Sequence, residues 1–334
     1  GREREAQGMR AGLILADLQH STRLVADLTH QGPQGLDTLQ RALRAWSEGS
    51  VRVIHAAGGV VYQFAGDAIL ACFPQGVGEP DAALAQRVAE TALRLASFAE
   101  TTRAVQTPTE ALELRCKFGV SMGEVHRLIL GVAELWLHPL LVGDPVAAAV
   151  RAEKRASGGE VVVDIGVARH LPPAWIQRTL DDVSILVATP AAAAPSHRRN
   201  TPPHAGLAPR LLHPFLARRL THERDELIAE LRGVTCVFLK FELEGAPGPL
   251  IERLPELRAF YELAQRESLR FGGFLAQTDF TDKGNVVFVV FGAPSAVEHQ
   301  ELMATRFAWA ILQGAESLAG VRDVRVGVAT GPAY

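Results

Sequence analysis

Aromatic residues make up only 6% of this 334-residue chain, and cysteine occurs three times. Cys72, Cys116 and Cys236 lie far apart in apolar runs, so they favour buried, reduced thiols over a disulfide framework. No apolar run approaches the roughly 20 residues needed to span a bilayer, and the first ten residues are too charged for a signal peptide. We therefore expect a cytoplasmic protein without a membrane span.

Strong net charge and several common catalytic motifs are also missing. The formal net charge is -3, which gives no broad basic surface, so we expect no nucleic-acid partner. The sequence contains no Walker A motif, G-x-S-x-G, C-x-x-C or H-E-x-x-H. The composition, 48% hydrophobic and 21% charged, is that of a globular protein with room for two domains.

One order of elements occurs twice in the chain: strand, helix, glycine pair, hairpin, helix, glycine-containing strand. The pair Gly58-Gly59 recurs as Gly272-Gly273, and Lys117–Met122 resembles Val324–Thr330. This pattern predicts an internal duplication. A Pro/Ala-rich linker at 188–206 then separates a first domain, 1–187, from a second, 207–334. Strands and helices alternating around a mainly antiparallel sheet predict the α+β class with a ferredoxin-like core in each domain.

Two acidic residues stand at strand ends in the first half. Asp17 directly follows the apolar run 13–16, and Asp67 lies at the tip of a hairpin formed by 60–64 and 68–73. The polar residues 19–22 open a helix, whose first N–H groups can bind phosphate. Two carboxylates beside such a turn suit Mg²⁺ with a phosphate ligand. From pattern alone, a helix-capping Asp17 and an ordinary turn residue at Asp67 fit equally well.

Several strings in the first half resemble class III adenylyl and guanylyl cyclases. Residues 64–68 (FAGDA), preceded by the glycine pair, resemble the F-x-G-D hairpin of that family. Residues 16–18 with Ser21 and Thr22 resemble its first metal-binding strand, and 142–146 with Arg151 resemble its V-G-x-x-V-N-x-A-A-R segment. Arg151 as an ordinary surface arginine of a helix fits as well.

The second half resembles the second catalytic domain of soluble adenylyl cyclases at residues 231–238, 280–284 and 289–294. The resemblance covers nearly the whole chain. It implies two Mg²⁺ or Mn²⁺ ions bound by the carboxylates of Asp17 and Asp67 and the carbonyl of Leu18, with ATP as the substrate. The remaining nucleotide contacts that it implies are Gln19, His20, Ser21, Thr22, Lys117 and Gln277.

Three of those nucleotide contacts can also be interpreted in another way. His20 as a solvated turn residue and Lys117 as a solvated strand-end residue fit the same sequence. Gln277 aligns with the lysine that reads adenine in related enzymes. Its amide can donate to adenine or accept from guanine, so it leaves the base open.

Each half also departs from the family pattern at a position tied to the metal site or the transition state. Lys240 stands at the first metal position of the second half, and an ammonium cannot bind Mg²⁺. Ala147 stands where the family has a transition-state asparagine. The resemblance then implies a pseudo-heterodimer in which the two domains pair within the chain and share one active site. The asparagine and arginine of the second domain would follow Tyr334, and we expect further regulatory domains beyond them.

The sequence therefore predicts an adenylyl cyclase that converts ATP to 3′,5′-cyclic AMP and pyrophosphate by two-metal-ion catalysis. Gln277 leaves guanylyl cyclase as an alternative. The substitutions at Lys240 and Ala147 leave a second alternative, a catalytically inactive cyclase-like module that binds nucleotide and regulates attached domains.

A first prediction concerns bicarbonate, which stimulates soluble adenylyl cyclases through a lysine that aligns with Gln63 here. An amide is a poorer anion partner than an ammonium, so bicarbonate should stimulate cyclic nucleotide formation weakly or not at all. The measurement is activity against bicarbonate concentration at fixed pH and ionic strength. A dose-dependent rise would contradict the prediction.

Overall fold

The computed structural model describes residues 6–19, 21–102, 104–106, 111–187, 208–215, 217, 232–245, 250–281 and 284–333. The predicted linker at 188–206 and the predicted phosphate contact His20 lie outside these ranges. None of the helices within them is long and apolar enough to cross a membrane.

The described chain contains both strands and helices throughout its length, so the α+β class is confirmed. The strands are β1 (Ala6–Gln19), β2 (Val60–Ala65), β3 (Ala68–Pro74), β4 (Ala104–Gln106), β5 (Ala111–Glu113), β6 (Arg115–Leu130), β7 (His138–Val142), β8 (Val161–Asp164), β9 (Ile176–Leu180), β10 (Val183–Leu186), β11 (Arg232–Leu243), β12 (Phe274–Thr281), β13 (Gly284–Phe291) and β14 (Val321–Ala333). The helices are α1 (Ser21–His30), α2 (Pro33–Ala56), α3 (Asp81–Thr101), α4 (Asp144–Arg155), α5 (Ile165–Ala168), α6 (Leu254–Phe271) and α7 (Gln300–Ala315).

The chain divides into two compact units that are not continuous in sequence. The first unit comprises Gly8–His126 and Gly143–Pro202; the second comprises Gly1–Gln7, Arg127–Val142 and Pro203–Tyr334. The end of β6 and all of β7 therefore belong with the carboxy-terminal part of the chain. The domain boundaries predicted above remain a prediction.

A sheet with the order β2-β3-β1-β6-β8-β10-β9 forms the centre of the first unit. The β1–β3, β2–β3, β8–β10 and β9–β10 pairings are antiparallel, and the β6–β8 pairing is parallel. The apolar run of β1 is buried from Ala11 to Ile14, as expected for a central strand with both faces covered.

The structure defines how the helices of the first unit begin. A separate helix, α1, precedes α2, whose apolar stripe of Leu39, Trp46 and Ile54 is buried. Asp81 is of a residue type that commonly caps helices, but it does not cap α3. The N-cap is Pro80, and the Asp81 carboxylate instead accepts two hydrogen bonds from Arg10 of β1, at 2.8 and 2.5 Å. This pair ties the start of α3 to β1.

The second unit contains the antiparallel sheet β12-β13-β11-β14, covered by α6 and α7. Its segment Arg127–Val142 is held by Gln265, a fully buried amide of α6. Gln265 accepts a hydrogen bond from Val132 N and donates one to Trp136 O, each of 2.8 Å. Side chains of this segment share one core with β11–β13 and both helices: Leu128, Leu130, Trp136, Leu140 and Val142.

Both units build their hairpin in the same way. Gly58 and Gly272 have φ of 78° and 79°, which only glycine adopts without strain. A Cβ on the next glycine would meet an aromatic ring of the hairpin's second strand, Phe73 in the first unit and Phe291 in the second. The pairing register then shifts before Gln63 in one hairpin and before Gln277 in the other.

A second prediction concerns the close approach of α4 to β6 at Gly119. A Cβ at this position would lie 2.1 Å from Ala149 O and 2.4 Å from Glu153 N. Gly119→Ala should therefore lower the free energy of unfolding by about 3 kcal/mol, because the helix would have to move off the sheet. Urea unfolding measures the loss.

The matched control is Gly327→Ala in β14. A Cβ there would meet nothing within 4 Å, so this variant should unfold like the parent or at slightly higher urea. A Gly119→Ala protein that unfolds at the same urea concentration as Gly327→Ala would contradict the prediction, because it would show that α4 can move off β6 at little cost in stability.

Candidate active site

The sheet brings Asp17 and Asp67 to one place although they are distant in sequence. Antiparallel pairing between β1 and β3 sets Ala16 opposite Ile69. The next residue of β1 is Asp17, and the chain before β3 is the tight turn of the β2–β3 hairpin, with Gly66 at φ 65° and Asp67 beside it. The end of the buried strand and the tip of the hairpin therefore lie at the same edge of the sheet.

The electrostatics of Asp17 show how closely the two carboxyls interact. Burial and then the negative charges of Asp67 and Glu153 raise the pKa of Asp17 to about 6, while Lys117 acts in the opposite direction. The Oδ2 atom of Asp67 is buried and has no hydrogen-bond partner among the described residues. Two carboxyls that interact in this way are unfavourable when both are ionised, which favours a cation beside them.

These two carboxyls fit the divalent ion that the sequence predicts. No group of three or more His, Cys, Asp or Glu in the described ranges is placed to hold a metal ion. Mg²⁺ does not need one, because it commonly takes one or two protein carboxylates and completes its shell with water and substrate phosphate oxygens. The buried, unpartnered Oδ2 of Asp67 is an oxygen donor of that kind.

The residues after Asp17 place a helix start beside the carboxyls. Leu18 is buried, and Gln19 ends β1 with its amide oxygen close to Gly158. Ser21 and Thr22 are the first residues of α1, a helix of 10 residues. The first N–H groups of a helix have no partner within it and form a positive end, so this turn is suited to phosphate.

Lys117 lies between two acidic side chains. Its Nζ is 3.7 Å from Asp17 Oδ2 and is in direct contact with Glu153 Oε1. Glu153 belongs to α4 and is only 7% exposed. Sequence reasoning missed Glu153, although the buried face of α4 carries Val146, Ala149 and then position 153 at helical spacing. A charged residue on this otherwise apolar helix face was the sequence feature that could have identified Glu153.

The second unit carries different chemistry at the corresponding positions. In the second unit, β11 and β13 pair as β1 and β3 do in the first unit. Cys236 lies opposite Val290, as Leu13 lies opposite Cys72. By this register, Lys240 takes the place of Asp17 and Asn285 takes the place of Asp67. The Nδ2 atom of Asn285 donates to Phe241 O at 3.3 Å. Neither position can supply a carboxylate ligand.

Three other residues singled out from the sequence have defined environments. Gln277 lies on β12 of the second unit and is half-buried. Ala147 is half-buried in α4, and Arg151 is exposed on the same helix. The charge of Arg151 partly offsets the burial that raises the pKa of Asp164 to about 6.

Comparison with solved structures places nucleotide cyclase catalytic domains among the chains similar to this one. One is the catalytic core of a rhodopsin-guanylyl cyclase with converted specificity in complex with ATPαS, with 21% identity, a TM-score of 0.45, and coverage of 55% of this chain and 99% of that one. A second is the guanylate cyclase domain of RhGC from Catenaria anguillulae in complex with GTP, with 19% identity, a TM-score of 0.45, and coverage of 55% and 98%. A third is a bacterial light-regulated adenylyl cyclase, with 19% identity, a TM-score of 0.41, and coverage of 55% and 52%.

No protein-family model and no curated relative matches the chain.

A third prediction tests the contact between the two carboxyls directly. Asp67→Asn should lower the pKa of Asp17 below about 6 in the metal-free protein, because one of the negative charges that raise it is removed. The measurement is a pH titration of the Asp17 carboxyl carbon by NMR. Since a bound divalent cation needs ionised Asp17, Mn²⁺ affinity of the parent should also fall as the pH is lowered through about 6.

Asp37→Asn is the control, because Asp37 is exposed on α2 and paired with Arg41. It should leave the Asp17 titration unchanged. An Asp17 midpoint that does not move in Asp67→Asn would separate the two carboxyls and contradict their joint site.

Proposed function

We propose that the chain is a nucleotide cyclase, which converts a nucleoside triphosphate to a 3′,5′-cyclic nucleotide and pyrophosphate. The observation that carries this proposal is the pair Asp17 and Asp67, whose charges interact at one sheet edge beside the start of α1. The F-x-G-D hairpin that supplies Asp67 is the most specific string that the sequence shares with class III cyclases.

The reaction requires an in-line attack of the ribose 3′ oxygen on the α-phosphorus while the bond to pyrophosphate breaks. Two divalent cations at Asp17 and Asp67, Mg²⁺ or Mn²⁺, would lower the pKa of the 3′ hydroxyl and neutralise charge on the departing pyrophosphate. The carbonyl of Leu18 is a proposed further ligand.

The chain's own polar groups have separate parts in this proposal. The turn at Gln19 and the first N–H groups of α1, at Ser21 and Thr22, bind the triphosphate, with His20 as a further contact. Lys117 adds a positive charge at the carboxylate edge, where its Nζ is 3.7 Å from Asp17 Oδ2. That position suits a contact with a phosphate oxygen of the bound nucleotide.

Adenylyl cyclase is the preferred form of the proposal, with ATP as substrate and cyclic AMP as product. The preference follows from the resemblance of the second half to soluble adenylyl cyclases. Gln277 is the proposed base contact, and its amide also fits GTP. Pairing of the two halves in one shared active site, regulatory domains after Tyr334 and a cytoplasmic location remain predictions.

A second candidate function is a nucleotide-binding regulatory module without turnover. Lys240 and Asn285 favour it, because the second unit has no carboxylate at either of the positions that match Asp17 and Asp67. Ala147 in place of asparagine favours it as well. The two candidates differ in product formation but share nucleotide binding.

A fourth prediction separates them. The complete protein with Mn²⁺ should form cyclic AMP from ATP, and Asp67→Asn should lower the rate by about 100-fold or more because the site loses a metal ligand. Product is measured by chromatography, with GTP in a parallel series. Asp37→Asn, a change of the same kind on α2, should keep the parent rate.

The outcomes assign the function. Turnover of GTP instead of ATP would make the protein a guanylyl cyclase. Nucleotide binding without any cyclic product would favour the regulatory module. Full activity in a folded Asp67→Asn protein would remove the metal assignment.

A further inference from the structure

Glu153 is a buried carboxylate that the proposed reaction does not use. Its side chain lies on the buried face of α4, and its Oε1 is in direct contact with the ammonium of Lys117. Asp17 is the more distant partner of the same ammonium, at 3.7 Å. One positive charge is therefore shared unequally between a buried carboxylate and a proposed metal ligand.

Burial makes the Lys117–Glu153 pair the more persistent of the two. Removing one partner of a buried ion pair leaves an uncompensated charge away from water, which is strongly unfavourable. Asp17 is more exposed than Glu153, with side-chain exposures of 32% and 9%, so water can solvate its carboxylate when the ammonium is elsewhere. The electrostatic balance therefore holds the ammonium on Glu153.

The backbone fixes the same arrangement. The position that a Cβ of Gly119 would take is filled by Ala149 O and Glu153 N, so α4 lies directly against β6. Lys117 is on β6 close to this contact. The carboxylate and the ammonium are thus carried by two elements that cannot separate without losing that packing.

We propose that Glu153 is a positioning residue that retains the Lys117 ammonium and so leaves Asp17 free to bind a divalent cation. This inference rests on the proposed metal site at Asp17 and Asp67. Without Glu153, Asp17 is the other carboxylate that the described residues place within 4 Å of this ammonium, so the ammonium pairs with it. Lys117 then competes with the metal ion for the same oxygen atoms. With Glu153 in place, Lys117 stays beside the site as a fixed cation.

The experiment measures Mn²⁺ binding to the complete, nucleotide-free protein by EPR of the unbound ion. Glu153→Gln should raise the Kd for Mn²⁺ by about tenfold, because the freed ammonium moves onto Asp17. Adding Lys117→Gln to that variant should return the Kd at least to the parent value. Lys117→Gln in the parent should change the Kd much less, by about threefold or under, because Glu153 already holds the ammonium.

The double-mutant cycle separates positioning from simple charge loss. If Glu153 acts only through its own negative charge, the effects of the two substitutions multiply, and Lys117→Gln gives the same factor in both backgrounds. That outcome overturns the inference, as does an unchanged Kd in Glu153→Gln. Glu134→Gln, which removes one exposed carboxylate, is the charge-matched control and should leave the Kd unchanged.

Three further variants keep the outcomes distinct. Glu153→Asp keeps the charge but shortens the reach to Lys117, so it should also raise the Kd, and it replaces Glu153→Gln if that protein does not fold. Asp17→Asn and Asp67→Asn should both abolish Mn²⁺ binding. Binding that survives in both, or a parent that binds no Mn²⁺, would overturn the proposed metal site itself. Loss in those two with no effect at Glu153 would overturn only the positioning role.

Discussion

The repulsion between two carboxyls at one sheet edge is the constraint on which the site depends. Asp17 and Asp67 are held close by the β1–β3 register and by a tight hairpin turn, so neither can move away without breaking strand pairing. Burial is the largest cause of the raised pKa of Asp17, and the negative charge of Asp67 raises it further. Two ionised carboxyls in this arrangement lower the stability of the folded protein. A bound cation would remove that unfavourable contribution, because it would neutralise their charge.

Lys117 supplies part of that compensation from within the chain. Its ammonium contacts Glu153 and lies near Asp17, so one positive charge faces a group of negative ones. The remaining negative charge is what divalent cations could balance. The Oδ2 atom of Asp67 is buried and has no hydrogen-bond partner in the described chain. The negative charge on this atom is therefore the part that the protein's own groups leave uncompensated.

Local signals in the sequence were enough to predict most of the elements that form the site. The apolar run before Asp17 correctly predicted a strand there, although β1 is longer than the run and continues through Asp17 to Gln19. The glycine pair before two short apolar strands correctly predicted the β2–β3 hairpin. The sequence could not predict features that depend on long-range packing. The hydrogen bond between Arg10 and Asp81 depends on where α3 packs against β1, so the local sequence pattern does not predict it. The assignment of Arg127–Val142 to the second unit depends likewise on Gln265, far along the chain.

The second unit shows what happens to the same scaffold when the repulsion is removed. Lys240 and Asn285 stand where the first unit has two carboxyls, so these two positions do not bring like charges together. The Asn285 amide donates a hydrogen bond to Phe241 O within the sheet, and Lys240 is exposed to water. Both groups are satisfied without a bound cation. The equivalent register and glycine positions therefore accompany the same hairpin in both units, whereas the side chains at the two matched positions differ in charge.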